Sequence, residues 1–195
     1  VKTLAKTQGR RMAAPLARAL ADLGVSADHL TWAGLVASAL AGVLVAGGHF
    51  RLAALTLLAG ALCDVLDGSV ARATGKASPF GAFLDSTVDR VAELCFFAGA
   101  LVWFIGTGAG VLYPLLCILA ASGSFMVSYT RARAEGLGIE CSVGLMERPE
   151  RMVLLLLATL LGGVGLRVVL WVLTPLVWWT TGQRVRHVYG ETHRP

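Results

Sequence analysis

CDVLDGSVARATGKASPFGAFLDSTVDR, residues 63–90, sets four aspartates at the ends of two apolar segments joined by a short turn. Asp64 and Asp67 are three residues apart and Asp85 and Asp89 four apart, so on helices each pair shares one face. The turn ATGKASP centres near residues 76 and 77. Counted outward from that centre in an antiparallel hairpin, Asp64 is level with Asp89 and Asp67 nearly level with Asp85. Two carboxylate pairs at two depths repel one another unless cations sit among them. Oxygen donors without His or Cys favour Mg²⁺, Mn²⁺ or Ca²⁺ over zinc, and four carboxylates suffice for two ions of the kind used in phosphoryl transfer. Gly68 and Gly81 leave backbone bare for a nucleotide or phosphate, and Arg72, one turn after Gly68, is placed to fork onto phosphate oxygens. Intramembrane carboxylates also build proton or sodium relays, so an ion-coupled membrane transporter stands as the alternative of another class. DVLDG lacks the alternating oxygen spacing of an EF-hand loop.

Outward from this stretch the chain is oily. Of its 195 residues 56% are hydrophobic and the mean hydropathy is +0.70, against roughly 45–50% apolar in soluble domains. Apolar runs at about 30–48, 52–63, 91–105, 111–127, 152–166 and 168–179 predict an all-α integral membrane protein with six transmembrane helices. Several runs fall short of the roughly 20 residues of a full crossing, so Asp64, Asp85, Asp89, Glu93, Arg131 and Arg151 complete them, facing protein or water and not lipid. That arrangement predicts a polar cavity open to one side.

With six crossings, the ends near Gly47–Arg51, Thr107–Gly110 and Gly162–Arg167 share a face that carries only Arg51 and Arg167 of the 17 basic residues. The positive-inside rule then puts both termini and the aspartate end in the cytoplasm of a multi-pass cell-membrane protein. RRMAAPLARALADLG, within residues 8–24, reads as an N-terminal amphipathic interfacial helix. Met12, Leu16, Leu20 and Leu23 form its apolar side, and Arg10, Arg11 and Arg18 are available to anionic headgroups or simply set topology. This stretch lacks the short apolar core of a cleavable signal peptide. Cys63, Cys95, Cys117 and Cys141 and the four histidines lack ligand spacing, which argues against a zinc site or a disulfide framework.

Asp64-x-x-Asp67-Gly68-x-x-Ala71-Arg72, eight further residues, then Gly81-x-x-x-Asp85-x-x-x-Asp89 resembles the signature of the CDP-alcohol phosphotransferase (CDP-alcohol phosphatidyltransferase) family at every fixed position. The resemblance implies one membrane domain over 1–195, with the interfacial helix at 8–24 and a six-helix bundle at 28–188, working as a homodimer in the lipid bilayer. It also implies transfer of a phosphatidyl group from a CDP-linked lipid, CDP-diacylglycerol or an ether analogue, to an alcohol with release of CMP. By the same resemblance Asp64, Asp67, Asp85 and Asp89 bind two Mg²⁺ or Mn²⁺ ions, and Asp89 is also the general base. Asp64, Asp67, Gly68, Ala71, Arg72 and Gly81 contact the nucleotide and diphosphate. ADHLT resembles the family's short nucleotide-side motif, which adds Asp28 and Thr31. No nucleic-acid partner is expected.

The acceptor is written elsewhere. SYTRARAEGLGIECSVGLMERPERM, residues 128–152, carries Arg131, Arg133, Arg148 and Arg151 on the aspartate side. A basic cytoplasmic loop accounts for such a cluster, and so does a pocket for a second phosphate on the acceptor. The stretch is similar to the SY-x-K-A-R-A-E and ERPER segments of bacterial phosphatidylinositol-phosphate synthases and their archaeal ether-lipid relatives, with Arg131 where the bacterial members carry lysine. The resemblance implies inositol phosphate as acceptor. Glycerol phosphate, as in phosphatidylglycerophosphate synthases, is the alternative that also brings a phosphate.

Overall fold

In the computed structural model, which describes residues 15–193, the chain is helical throughout with short turns between elements. The described part of the N-terminal helix, α1, covers 15–22, followed by α2 (Ala27–Ala46), α3 (Phe50–Ala73), α4 (Pro79–Gly106), α5 (Leu112–Glu135), α6 (Arg148–Leu160) and α7 (Gly162–Thr192). In α1, Ala17 is buried while Leu16 is exposed, as is Leu23 just after the helix. Arg10, Arg11 and Met12 of the expected interfacial helix lie outside the described residues.

The starts of the two helices that frame the site follow from capping chemistry. Ser26 accepts the His29 backbone N–H at 3.2 Å, and the His29 ring accepts the Ser26 N–H, a reciprocal cap that launches α2. Ser78 accepts the Gly81 N–H at 3.0 Å and Pro79 fixes the first helical residue of α4. Gly75, at φ +68°, reverses the chain between α3 and α4 in a conformation that a side chain disfavours.

α2 packs against both α3 and α4, α5 against α4 and α7, and α6 against α3 and α7. Phe96, Phe104, Leu155, Leu166 and Leu173 are nearly inaccessible at the centre. The α2–α4 crossing is a backbone contact: a Cβ on Gly99 would stand 2.0 Å from the Gly42 carbonyl oxygen, and one on Gly42 would stand 2.3 Å from that of Cys95. Small residues are what allow helices to approach so closely in a membrane. Outward-facing Trp32, Val36, Val43, Leu55, Ile105 and Trp179 are all exposed, as a lipid-solvated surface requires.

By length and composition α2, α3, α5 and α7 are each able to cross a membrane. α4 has 28 residues but bears Asp85, Asp89 and Arg90 in its first half and Glu93 at its middle, and α6 has 13, about 20 Å of helix against a hydrocarbon core of roughly 30 Å. The break between the last two helices falls at Leu161 and Gly162, so α7 absorbs residues that the apolar pattern gives to the preceding segment. Gly162, at φ +68°, makes that break. The three turns at 47–49, 107–111 and 161 gather at one end, with Arg167 stacked 5.6 Å from the Tyr113 ring. The aspartates lie toward the other end.

Candidate active site

α3 and α4 are joined by the short turn at 74–78 and pack on α2 more than on each other, and the expected carboxylates meet across the space between them. Asp64, Asp67 and Asp85 each offer an oxygen within 4.8 Å of the others. Asp67 is buried, accepting Thr31 Oγ1–H at 2.8 Å through Oδ2 and the Gly68 N–H through Oδ1. Asp85 Oδ1 is buried with no hydrogen-bond partner among the described residues. An orphaned carboxylate oxygen facing two further carboxylates is costly, and a cation relieves it. Three oxygen donors without nitrogen or sulfur in the group fit a hard divalent ion such as Mg²⁺ or Mn²⁺.

Asp89 stands outside this close group. Its Oδ1 is 2.5 Å from Arg148 Nη2, while Arg148 Nη1 donates to Asp64 Oδ1 at 2.8 Å. One guanidinium from the first turn of α6 therefore ties both helices of the hairpin together. Arg90 adds a second, looser charge 4.0 Å from Asp89 Oδ2. Deeper in, Arg151 makes a bidentate pair with Glu93 at 2.7 and 2.9 Å and also donates to the Met146 carbonyl at 3.1 Å. Both partners are buried.

The four arginines of the 128–152 stretch thus have different surroundings. Arg148 and Arg151 are turned inward onto carboxylates, whereas Arg131, at the end of α5, is exposed and pairs with Glu135 at 2.8 Å; Arg133 is exposed. Sequence reading missed Glu93, the partner of Arg151, as a site residue, and it missed Arg184. Arg184 is buried on α7 and donates to the carbonyls of Val143, at 2.9 Å, and Val127. Thr180, one turn earlier, accepts the Met146 N–H at 3.1 Å, so α7 pins the loop that leads to Arg148. The available signal was a Thr and an Arg four apart on one face of the helix.

A cavity of about 230 Å³ opens beside the cluster. Asp28 and Thr31 of α2, Gly68, Ala71 and Arg72 of α3, and Gly81 of α4 line it, with Asp67 and Asp85 as its inner wall. These are the expected nucleotide residues apart from Asp64, which lines the narrower inner recess with Asp89 and Arg148. Lys76 and Ser78 of the turn join the outer cavity, unanticipated from sequence. A Cβ on Gly68 would meet only the flexible tip of Arg72, at 3.2 Å, so the glycine keeps the cavity floor open instead of relieving a clash in the protein. The sequence pattern of the CDP-alcohol phosphatidyltransferase family matches residues 25–182, which includes the hairpin and every wall of this cavity.

The chain belongs to that family. Among curated relatives of this CDP-alcohol phosphatidyltransferase, the phosphatidylinositol phosphate synthase of Mycobacteroides abscessus is 39% identical over 184 residues, 89% of this chain and 82% of the relative. The archaetidylinositol phosphate synthase of Methanothermobacter thermautotrophicus is 42% identical over 154 residues, 78% and 74% of the two chains. The crystal structure of Mycobacterium tuberculosis phosphatidylinositol phosphate synthase with CDP-DAG bound superposes with a TM-score of 0.84 at 31% identity, over 92% of this chain and 94% of that one. A structure of the same synthase in complex with manganese and citrate gives 0.83 at 31% identity, over 91% and 88%. A family transferase of this kind works with divalent cations, and the three-aspartate group is the fitting place for one.

Thr31 belongs to α2 and not to the hairpin, so its bond to Asp67 is where the supporting helix touches the cluster. Thr31→Val keeps the shape and deletes that bond. A hydrogen bond to a charged group is worth about 1.5–3 kcal/mol, so Mn²⁺ affinity is expected to fall by about tenfold or more. Electron paramagnetic resonance of free Mn²⁺ in a titration measures it; unchanged affinity means that α3 alone holds Asp67.

Proposed function

We propose that this chain transfers a phosphatidyl group from a CDP-linked lipid, CDP-diacylglycerol or an ether analogue, to inositol phosphate, giving phosphatidylinositol phosphate and CMP. The observation that carries the reading is a cavity lined by signature residues of α2, α3 and α4 that opens onto Asp67 and Asp85 of the aspartate group. The names of its relatives, synthases of phosphatidylinositol phosphate and archaetidylinositol phosphate, support the acceptor. Glycerol phosphate is the second reading, because the arginines of the 128–152 stretch suit any phosphorylated alcohol.

On this reading Asp64, Asp67, Asp85 and Asp89 hold two Mg²⁺ or Mn²⁺ ions, which when bound neutralise the diphosphate and the charge developing on departing CMP. Arg72 forks onto diphosphate oxygens, Gly68, Ala71 and Gly81 let the backbone approach the nucleotide, and Asp28 and Thr31 complete its binding. Asp89 takes the proton of the attacking hydroxyl as that oxygen bonds to phosphorus and the bond from phosphorus to the CMP oxygen breaks. Its Oδ2 is free of Arg148, which uses Oδ1. Arg131, Arg133, Arg148 and Arg151 bind or orient the acceptor phosphate, with Arg151 acting from its buried pair with Glu93. The domain spans 1–195 with six crossings, α4 and α6 completing the four apolar ones, and functions as a homodimer in the cell membrane. The scarcity of basic residues at the turn end, where only Arg51 and Arg167 stand, supports cytoplasmic termini and a cytoplasmic active site.

The test is a radiolabelled CDP-lipid assay with a panel of alcohols, reading CMP and lipid product with and without Mg²⁺. Inositol phosphate is expected to be the preferred acceptor and free inositol a poor one. Preference for glycerol phosphate keeps the phosphate pocket and sinks the inositol assignment; equal use of free inositol or serine sinks both. Substrate-independent proton or sodium flux in liposomes, lost in Asp64→Asn, would instead make the chain a transporter.

A further inference from the structure

Four carboxylates face one another in the hairpin, but they are served unequally. Asp67 has Thr31 and its own helix backbone, and Asp85 Oδ1 has no hydrogen-bond partner among the described residues. Asp89 Oδ1 and Asp64 Oδ1 are both taken by Arg148, whose two terminal nitrogens lie 2.5 and 2.8 Å away. Arg148 sits on an element 84 residues from Asp64 in sequence and is fixed by its place in the first turn of α6. A cation entering among Asp64, Asp67 and Asp85 meets an oxygen group already assembled for it. A second cation held by Asp64 and Asp89 would compete with the guanidinium for their Oδ1 oxygens.

We propose that Arg148 is a built-in counter-ion that competes with the second divalent cation for Asp64 and Asp89, so that the two ions load in order. The inference rests on the two-ion reading above and goes beyond it by assigning Arg148 a role toward the metal. Without a second ion, Asp64 and Asp89 in a half-buried recess need a positive partner, and a forked guanidinium supplies one without leaving a bare charge. When the second ion arrives, those bonds break and the guanidinium is released toward the acceptor side. Arg148 is then a positioning residue before loading and a free cation after it.

Mn²⁺ titration of the full chain in detergent, read by electron paramagnetic resonance, tests this without turnover. In Arg148→Gln the second ion is expected to bind about tenfold to hundredfold more tightly, the range set by losing charge-assisted competing bonds. The first ion is expected to change by less than about threefold in the same variant, because within its group of Asp64, Asp67 and Asp85 the guanidinium bonds a single oxygen, Asp64 Oδ1. Arg148→Lys keeps the charge but loses the fork, so it gives an intermediate tightening at the same ion. Arg90→Gln removes a neighbouring charge 4.0 Å from Asp89 and is the control, expected to shift either ion by less than about threefold.

Unchanged second-ion affinity in both Arg148 variants overturns the proposal. So does equal tightening in Arg90→Gln, which would reduce the effect to net charge, and so does a single bound ion in every variant. If Arg148→Gln does not fold, Arg148→Lys against Arg90→Gln decides the same question. The CMP-release assay separates the two readings: turnover without an Arg148 effect on metal removes this inference alone, and an Arg148 effect without turnover removes the transferase reading alone.

Discussion

Asp85→Asn is expected to abolish CMP release to within about a thousandth of the unmodified rate, and EDTA to do the same to the unmodified protein. A factor of a thousand is about 4 kcal/mol of lost transition-state stabilisation, a modest demand on a cation that neutralises a diphosphate. The same substitution is expected to raise the thermal stability of the metal-free protein. Asp85 Oδ1 is buried and unpartnered beside Asp64 and Asp67, so a neutral amide of the same shape removes repulsion and a desolvated charge. Stability and activity therefore move in opposite directions at one residue, as at sites that keep strain for function. Thermal melts with and without Mn²⁺ give the check: the unmodified protein gains stability on adding the ion and Asp85→Asn gains little. Undiminished turnover in EDTA with metal-free buffers would falsify the metal mechanism outright.

The second large effect is structural. Arg151→Met strands Glu93, a buried carboxylate whose two oxygens are both held by that guanidinium. Breaking a buried pair from one side costs about 3–5 kcal/mol, or about 10 °C of melting temperature for a chain of this size. The double variant Glu93→Gln with Arg151→Met is expected to recover most of that loss, because no bare charge remains. Arg131→Gln, which breaks the exposed pair with Glu135, is expected to cost under about 1 kcal/mol. A single Arg151 variant as stable as the unmodified protein would contradict the pairing. A double variant that regains stability yet keeps a raised acceptor KM would place Arg151 at the acceptor as well as in the core.

What could be read from the sequence was whatever depends on neighbours along one helix or across one turn. The aspartate spacings of three and four, the turn near Gly75 and the bare Gly68 and Gly81 are local patterns; the outer cavity brings Asp67, Asp85, Gly68 and Gly81 together, and the inner recess holds Asp64 and Asp89. The arginines were harder. Their residue type and end of the bundle were legible, but Arg148 meets Asp64 across 84 residues and Arg151 meets Glu93 across 58. No periodicity encodes which of two neighbouring arginines turns toward which carboxylate. The count of crossings was legible only in part: α2, α3, α5 and α7 are long and apolar enough to cross, whereas the charges of α4 and the 13-residue length of α6 keep those two below that measure. Arg184 was invisible because its partners are carbonyls of α5 and of a loop, groups that every residue carries.

The loop from Gly136 to Glu147 is fastened by Thr180 and Arg184 of α7, whereas the aspartates hang from α3 and α4 with α2 behind them. The acceptor-side loop and the aspartates are therefore held by different helices, and they meet where Arg148 reaches Asp64 and Asp89 and Arg151 reaches Glu93. Variation at the end of α5, in the loop and along α7 can reshape what is offered at the acceptor side without disturbing the hairpin. A change of alcohol is then an evolutionary step open to this scaffold at little risk to its phosphorus chemistry, and a library confined to those segments is the economical way to retarget it.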